Sequence, residues 1–253
     1  MAGKIDDDIE RMELGELEKH LLQMHRNYTK AFQRRRAEEL GKTVSRIGFD
    51  FDGFEGDLAA IENKRLENAI LAAVAVADDL LAAMCRRQSK DGGEVKALLG
   101  PLGPLGDFNK RLKVAALAGF IDTNDLAFFD GLRKLRNPIA HSSRPKPPNR
   151  DQIARLIDSA PEWLDALIAE GRVPAGVDRG SETTLKAAIF VHLAKLAWGT
   201  ILTPLAKQAE VPLAILLEEK VRPEAFVRLS KLGVSRAVAL LTASAPPREP
   251  STA

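Results

Sequence analysis

Residues 66–85 read LENAILAAVAVADDLLAAMC, and their spacing decides the fold class. Leu66, Ile70, Ala73, Val74, Ala77, Leu80, Leu81 and Met84 recur at three- and four-residue steps. That is the repeat of one helix face and not of a strand. Alanine fills much of the rest, and small side chains let neighbouring helices come close. The helix predicted over 58–88 therefore reads as the central member of a helical bundle. The longest apolar run, Ala69 to Ala77, is followed by Asp78 and Asp79. It is too short to cross a bilayer, which takes about 20 residues.

On the N-terminal side, 5–40 reads as helix, with Leu14, Leu17, Leu21 and Met24 at helical steps, then Tyr28 and Phe32. Arg34, Arg35 and Arg36 form a solvated face, and Gly41 is the expected stop. In 41–57, Phe49, Phe51 and Phe54 alternate with Gly48, Asp50, Asp52 and Gly53. The glycines and aspartates predict a loop pinned by its rings. The acids at 50, 52, 55 and 57 lack the spacing of a calcium loop, so they read as loop and cap residues.

On the C-terminal side, 89–106 breaks the helix, because GPLGPLGD spends five of eight positions on glycine and proline. Asp107 is the expected N-cap of a helix ending near Ala118–Gly119. Asp122, Thr123 or Asn124 caps the next, which carries Leu126, Phe128, Phe129 and Leu132. A Pro-rich loop and a helix over 151–169 follow, then a linker over 171–181 that places a domain boundary. Helices are expected over 182–203, 204–220 and 223–243. No strand is predicted. The fold class is all-α: an antiparallel helical bundle with a helical C-terminal extension. The organisation reads as an N-terminal helix and aromatic loop (1–57), the bundle (58–170) and the extension (182–245).

Apolar residues are 45% of the chain and the net charge is +2, so only local charge clusters bear on a polyanionic partner. Cys85 is the single cysteine. Its apolar helical setting reads as a small core residue, and a cysteine-based zinc site is excluded. His20 and His25 do not share a helix face, so no metal or cofactor is expected. The N-terminal residues lack the apolar stretch of a secretory signal, and a soluble, cytoplasmic protein without a membrane span is expected.

The stretch with chemistry is LRKLRNPIAH, 132–141. Arg136 and His141 lie about 140° apart around an unbroken helix. Pro138 is the residue expected to bend or restart it and bring both to one side. Arg forks onto phosphate oxygens, His exchanges a proton near neutral pH, and Asn137 orients either. Converged, they suit metal-independent RNA cleavage, in which a 2′-hydroxyl attacks the adjacent phosphate. One such pair is sparse, so two copies across a homodimer are expected to complete it. A cap or an interhelical bond is the plain structural alternative. Arg133, Lys134, Arg144 and Lys146 are the surrounding candidates for nucleic-acid contact. In the tail, 205–219 and 226–241 carry a weak helix-turn-helix spacing, the second placing Arg236 at the start of a recognition helix near Arg228 and Lys231, but two ordinary packed helices with a glycine turn are the favoured reading. His192, on an apolar stripe, reads as a packing residue.

GPLGDFNKRLKVAALAGFI (103–121) followed by FFDGLRKLRNPIAH (128–141) resembles the mannitol operon repressor family over about residues 60–145. Arg136, Asn137 and His141 also match, position by position, the signature of the wider HEPN superfamily. That likeness implies a dimeric endoribonuclease or an inactive binding module. Three functions follow: a regulatory protein working through a partner protein or through RNA or DNA; a HEPN-type endoribonuclease using Arg136, Asn137 and His141; and a structural interaction module.

Overall fold

The computed structural model describes residues 15–46, 49–88, 92–199 and 224–243. Every regular element among them is helical, and the chain is all-α. The described residues fall in two compact units. One holds helix α1, Glu16–Arg46. The Gly15 N–H is satisfied by Glu18 Oε2 at 2.8 Å. Helix α1 runs through Gly41, the expected stop. One glycine weakens a helix by about 1 kcal/mol, and no proline follows to end it.

The second unit begins with a correction. The expected loop over 41–57 is helical at both ends, with α1 reaching Arg46 and α2 spanning Phe51–Asn63. Asp50 is the N-cap of α2, accepting the Gly53 N–H at 2.8 Å. The phenylalanines close the entry to the helix: the Phe49 ring lies 4.7 Å from Phe51 and 5.7 Å from Phe54. Residues read as alternating are thus a cap and the first turn that follows it.

The helix expected over 58–88 is two helices, α2 and α3 (Leu66–Gln88), parted at Lys64, which is extended. No glycine or proline marks that break. Lys186, far along the chain, donates to the carbonyls of Glu62 (2.9 Å) and Lys64 (2.8 Å) and so closes the end of α2. Helix α3 is the core helix. Ala69, Ile70, Ala73, Ala77 and Leu81 are wholly buried. By length and composition Leu66–Arg87 is apolar enough to cross a membrane, which the shorter run Ala69–Ala77 does not reveal. Here it is packed within the protein against α2 and the helices that follow.

Helix α4, Gly92–Leu99, lies inside the stretch expected to be free of helix. The glycine–proline break begins only at Gly100. There the chain reverses tightly, with Leu105 N–H bonded to Leu98 O at 3.0 Å. A Cβ at Gly106 would lie 2.5 Å from the Gly100 oxygen, so the turn demands glycine there. Asp107 caps α5 (Phe108–Leu117) through the Lys110 N–H, and Gly119 ends it with φ +66°. Buried Arg111 fastens the turn to the core. It donates to Leu105 O at 2.6 Å and forks onto Asp78 of α3, with Nε–Oδ1 at 2.9 Å.

Asp122 caps α6 (Thr123–Ala140), which packs on α3. The expected 151–169 helix is again two, α7 (Arg150–Asp158) and α8 (Glu162–Ala169), because Pro161 interrupts it. A reciprocal Asn149–Gln152 box caps α7. Helix α9, Glu182–Ala197, is buried almost all round and touches α2, α3, α6, α7 and α8. Hence the linker at 171–181 separates no domain. Ala187, Ala188 and Ile189 of α9 belong to the same core as α3, and the division at 170 and 182 is corrected to one body.

Helices α10 (Glu224–Ser230) and α11 (Arg236–Ala243) are joined through a π-helical turn, Lys231–Ser235, and all three pack on α9. A Cβ at Gly233 would meet the Ala194 Cβ at 2.5 Å, so this glycine permits close helix contact and makes no turn. The second helix-turn-helix reading is thereby overturned. The helical path through 224–243 has no turn to set a recognition helix at an angle. The first, at 205–219, and the helix at 204–220 lie outside the described residues.

Candidate functional site

The LRKLRNPIAH stretch forms the last turns of α6 and the residue that ends it. Pro138 is inside the helix and does not break it: α6 continues to Ala140, and His141 is the C-cap, its N–H bonded to Asn137 O at 3.2 Å. Lacking an N–H, Pro138 leaves only the Lys134 carbonyl without its helical donor, and this loss falls near the helix end where it is tolerated. The expected bend that would swing Arg136 and His141 together is therefore absent. A continuous helix keeps them about 140° apart.

Their surroundings differ from those of their neighbours. Arg136 and Asn137 are half-buried and His141 is exposed. Among the described residues, neither the Arg136 guanidinium nor the His141 ring has a hydrogen bond or ion pair. Arg133 and Lys134, expected to reach nucleic acid, are instead tied to Asp130. Arg133 binds it through Nε (3.1 Å) and Nη2 (2.7 Å), and Lys134 Nζ lies 2.8 Å from the other oxygen. Burial works against the Asp130 carboxylate, but the bonds from Lys134 and Arg133 outweigh it and hold its pKa below the usual range. The pair Asp130–Arg133 lines a groove of about 400 Å³ between α5 and α6, with Asn109, Lys113 and Leu126. Past the helix end, Arg144 and Lys146 are exposed with no acidic partner among the described residues.

Arg236 stands elsewhere and is engaged. Its Nε donates to Glu62 at 2.7 Å, and its guanidinium lies 5.4 Å from the Phe190 ring centre. Arg228 binds Asp52 at 2.8 Å and covers the Phe51 ring at 4.5 Å. Both cations staple residues 224–243 to α2 and α9, so neither is available to nucleic acid.

A second polar group, less visible in the sequence, joins α6 to α9. His192, 1% exposed, shares a 2.7 Å hydrogen bond from Nδ1 to Asp125 and stacks on Phe128 at 3.9 Å. Lys195 reaches Asp125 at 3.0 Å and Asp122 at 3.2 Å. Burial pushes the His192 pKa down despite Asp125, so its ring is neutral. Burial also opposes the Lys195 charge, but Asp125 and Asp122 outweigh it and raise its pKa. His192 Nε2 is buried with no partner. The sequence signal was a His and a Lys three apart on the apolar second half of the helix; the packing reading of His192 is right about burial but leaves one nitrogen unsatisfied. His192 and Asp125 are closed off from solvent while Lys195 and Asp122 reach the surface, and together they clamp α6 to α9. Cys85 is half-buried, and burial raises its thiol pKa, opposite to an activated nucleophile.

Compared with known proteins, the chain matches no family model, no curated protein and no solved structure. The likeness to mannitol operon repressors and to HEPN proteins rests on the quoted residues.

Proposed function

We propose that the chain is a cytoplasmic regulatory module, of the kind the mannitol operon repressor likeness implies, that binds RNA with the C-terminal end of α6 and the loop after it. The observation that carries this reading is a contrast in charge. Asp130 consumes Arg133 and Lys134, whereas Arg136, His141, Arg144 and Lys146 keep their donors for an outside partner. Such unneutralised cations at a helix end suit phosphate oxygens. Helix α6 is clamped to α9 at its start and packed on α3, which seats it in the core.

Cleavage is the second reading, favoured by the exposed imidazole of His141 beside an unpaired Arg136. One chain keeps the two on different sides of α6, so catalysis requires the groups of two copies to meet. Binding does not.

Fluorescence anisotropy with a labelled single-stranded RNA tests the first reading. Affinity should fall roughly 20-fold between about 50 and about 200 mM salt if three phosphates are contacted. The Arg136→Ala, Arg144→Ala, Lys146→Ala triple variant should lose most of the binding. No binding by the wild type, or equal binding by the variant, overturns the proposal. The same RNA run on a gel in EDTA tests the second: cleavage by wild type but not by His141→Ala establishes a ribonuclease.

A further inference from the structure

Helix α1 shows a burial pattern opposite to the one amphipathic helices usually have. Among its described side chains the partly covered ones are Lys19, Arg26, Thr29 and Gln33, all polar. Its apolar residues are open: Leu21 is 55% exposed, Leu22 39%, Met24 56%, Tyr28 71% and Phe32, stacked on Tyr28, 48%. Ala31 is exposed as well. The steps from 21 to 24, 28 and 31 are three, four and three residues, the 3.5-residue repeat of a coiled-coil seam. Leu17 occupies the preceding position of that repeat, and Arg35 follows Ala31 and ends it.

We propose that this stripe is a self-association seam, paired antiparallel with α1 of a second copy of the chain. The choice of partner follows from the register. In an antiparallel pair centred between Leu21 and Met24, Leu21 meets the partner's Met24, and the position of Leu17 falls opposite the partner's Tyr28. Each layer is then used twice by the two-fold axis, which closes the dimer. The flanking charges select the same direction. Glu18 falls beside the partner's His25, and His20 beside the partner's Asn27. A parallel pair would set His20 against the partner's His25 and Arg35 against the partner's Arg35. This seam is independent of what the end of α6 binds.

Sedimentation of the full chain reads the result directly. Wild type should sediment as two chains of 27.6 kDa at micromolar concentration. Leu21→Glu with Met24→Glu should give one chain with unchanged helical circular dichroism, because both side chains are solvated in the single copy. Gln23→Glu, off the stripe, should stay dimeric. A monomeric wild type, a dimer that survives the double substitution, or dissociation by Gln23→Glu overturns the seam. Direction is read in a Cys85→Ala background. A mixture of Leu17→Cys and Tyr28→Cys chains should form a disulfide between unlike chains. A disulfide between two Tyr28→Cys chains alone would overturn the antiparallel arrangement.

Discussion

At the residue scale, the buried histidine gives the sharpest expectation. His192 faces Asp125 from α6, Lys195 on its own helix and the rings of Phe128 and Phe129. Its folded pKa lies below the unfolded value of about 6.5. The unfolded chain therefore takes up a proton that the folded chain refuses. Stability is fully present above about pH 6.5 and is lost as pH falls below it, towards the folded pKa. Urea midpoints between about pH 5 and about pH 8 should show this slope, and His192→Gln should flatten it; an unchanged slope would reassign it to other groups. Asp125→Ala removes the acceptor shared by His192 and Lys195 and should cost about 1.5–3 kcal/mol, the worth of a hydrogen bond to a charged group. Arg136 shows how little a residue's type says about its role. It differs from Arg133 only in having no acid one turn before it, and that difference leaves it free.

At the element scale, caps and special backbone positions set where helices begin and end. Asp122 holds the start of α6 by accepting the Asp125 N–H at 2.8 Å. Asp122→Ala should lower stability by about 1 kcal/mol through the lost cap, with a further loss from Lys195. Pro138 is the opposite case, a helix breaker that α6 tolerates. Pro138→Ala restores a donor for the Lys134 carbonyl and should raise the melting temperature. RNA affinity should not change, because the helix already runs straight through; a large change would mean that proline sets the side-chain directions after all. Gly233→Ala drives a methyl group into Ala194 across the α9 contact and should destabilise by roughly 1–3 kcal/mol. The π-helical turn exists where that contact is tightest.

For the whole molecule, residues 224–243 are part of the core. Arg228, Arg236 and Gly233 meet residues of α2 and α9, so truncation before Glu224 should uncover the α9 face on which Leu232 and Ala237 pack and lower the melting temperature, read by circular dichroism. The RNA binding proposed for the end of α6 and the self-association proposed for α1 should each be abolished by substitution without affecting the other. In the sequence the available cations are hard to see because charges look alike there. Lys134 and Lys146 have the same side chain, and only the presence of Asp130 one turn before Lys134 separates a neutralised cation from an available one.

The local signals were legible from the sequence because they act over a few residues. The helical repeat of 66–85, the caps Asp107 and Asp122, and the GPLGPLG reversal are interactions within one or two turns, and the structure contains each of them. What the tertiary structure decided came from residues far apart. The break between α2 and α3 depends on Lys186, the fate of Arg236 depends on Glu62, and the joining of 182–199 and 224–243 to the core depends on α9 being buried almost all round. The continuity of α6 through Pro138 was decided in the same way, since packing on α3 outweighs one missing hydrogen bond near the helix end. That continuity keeps Arg136 and His141 on separate faces.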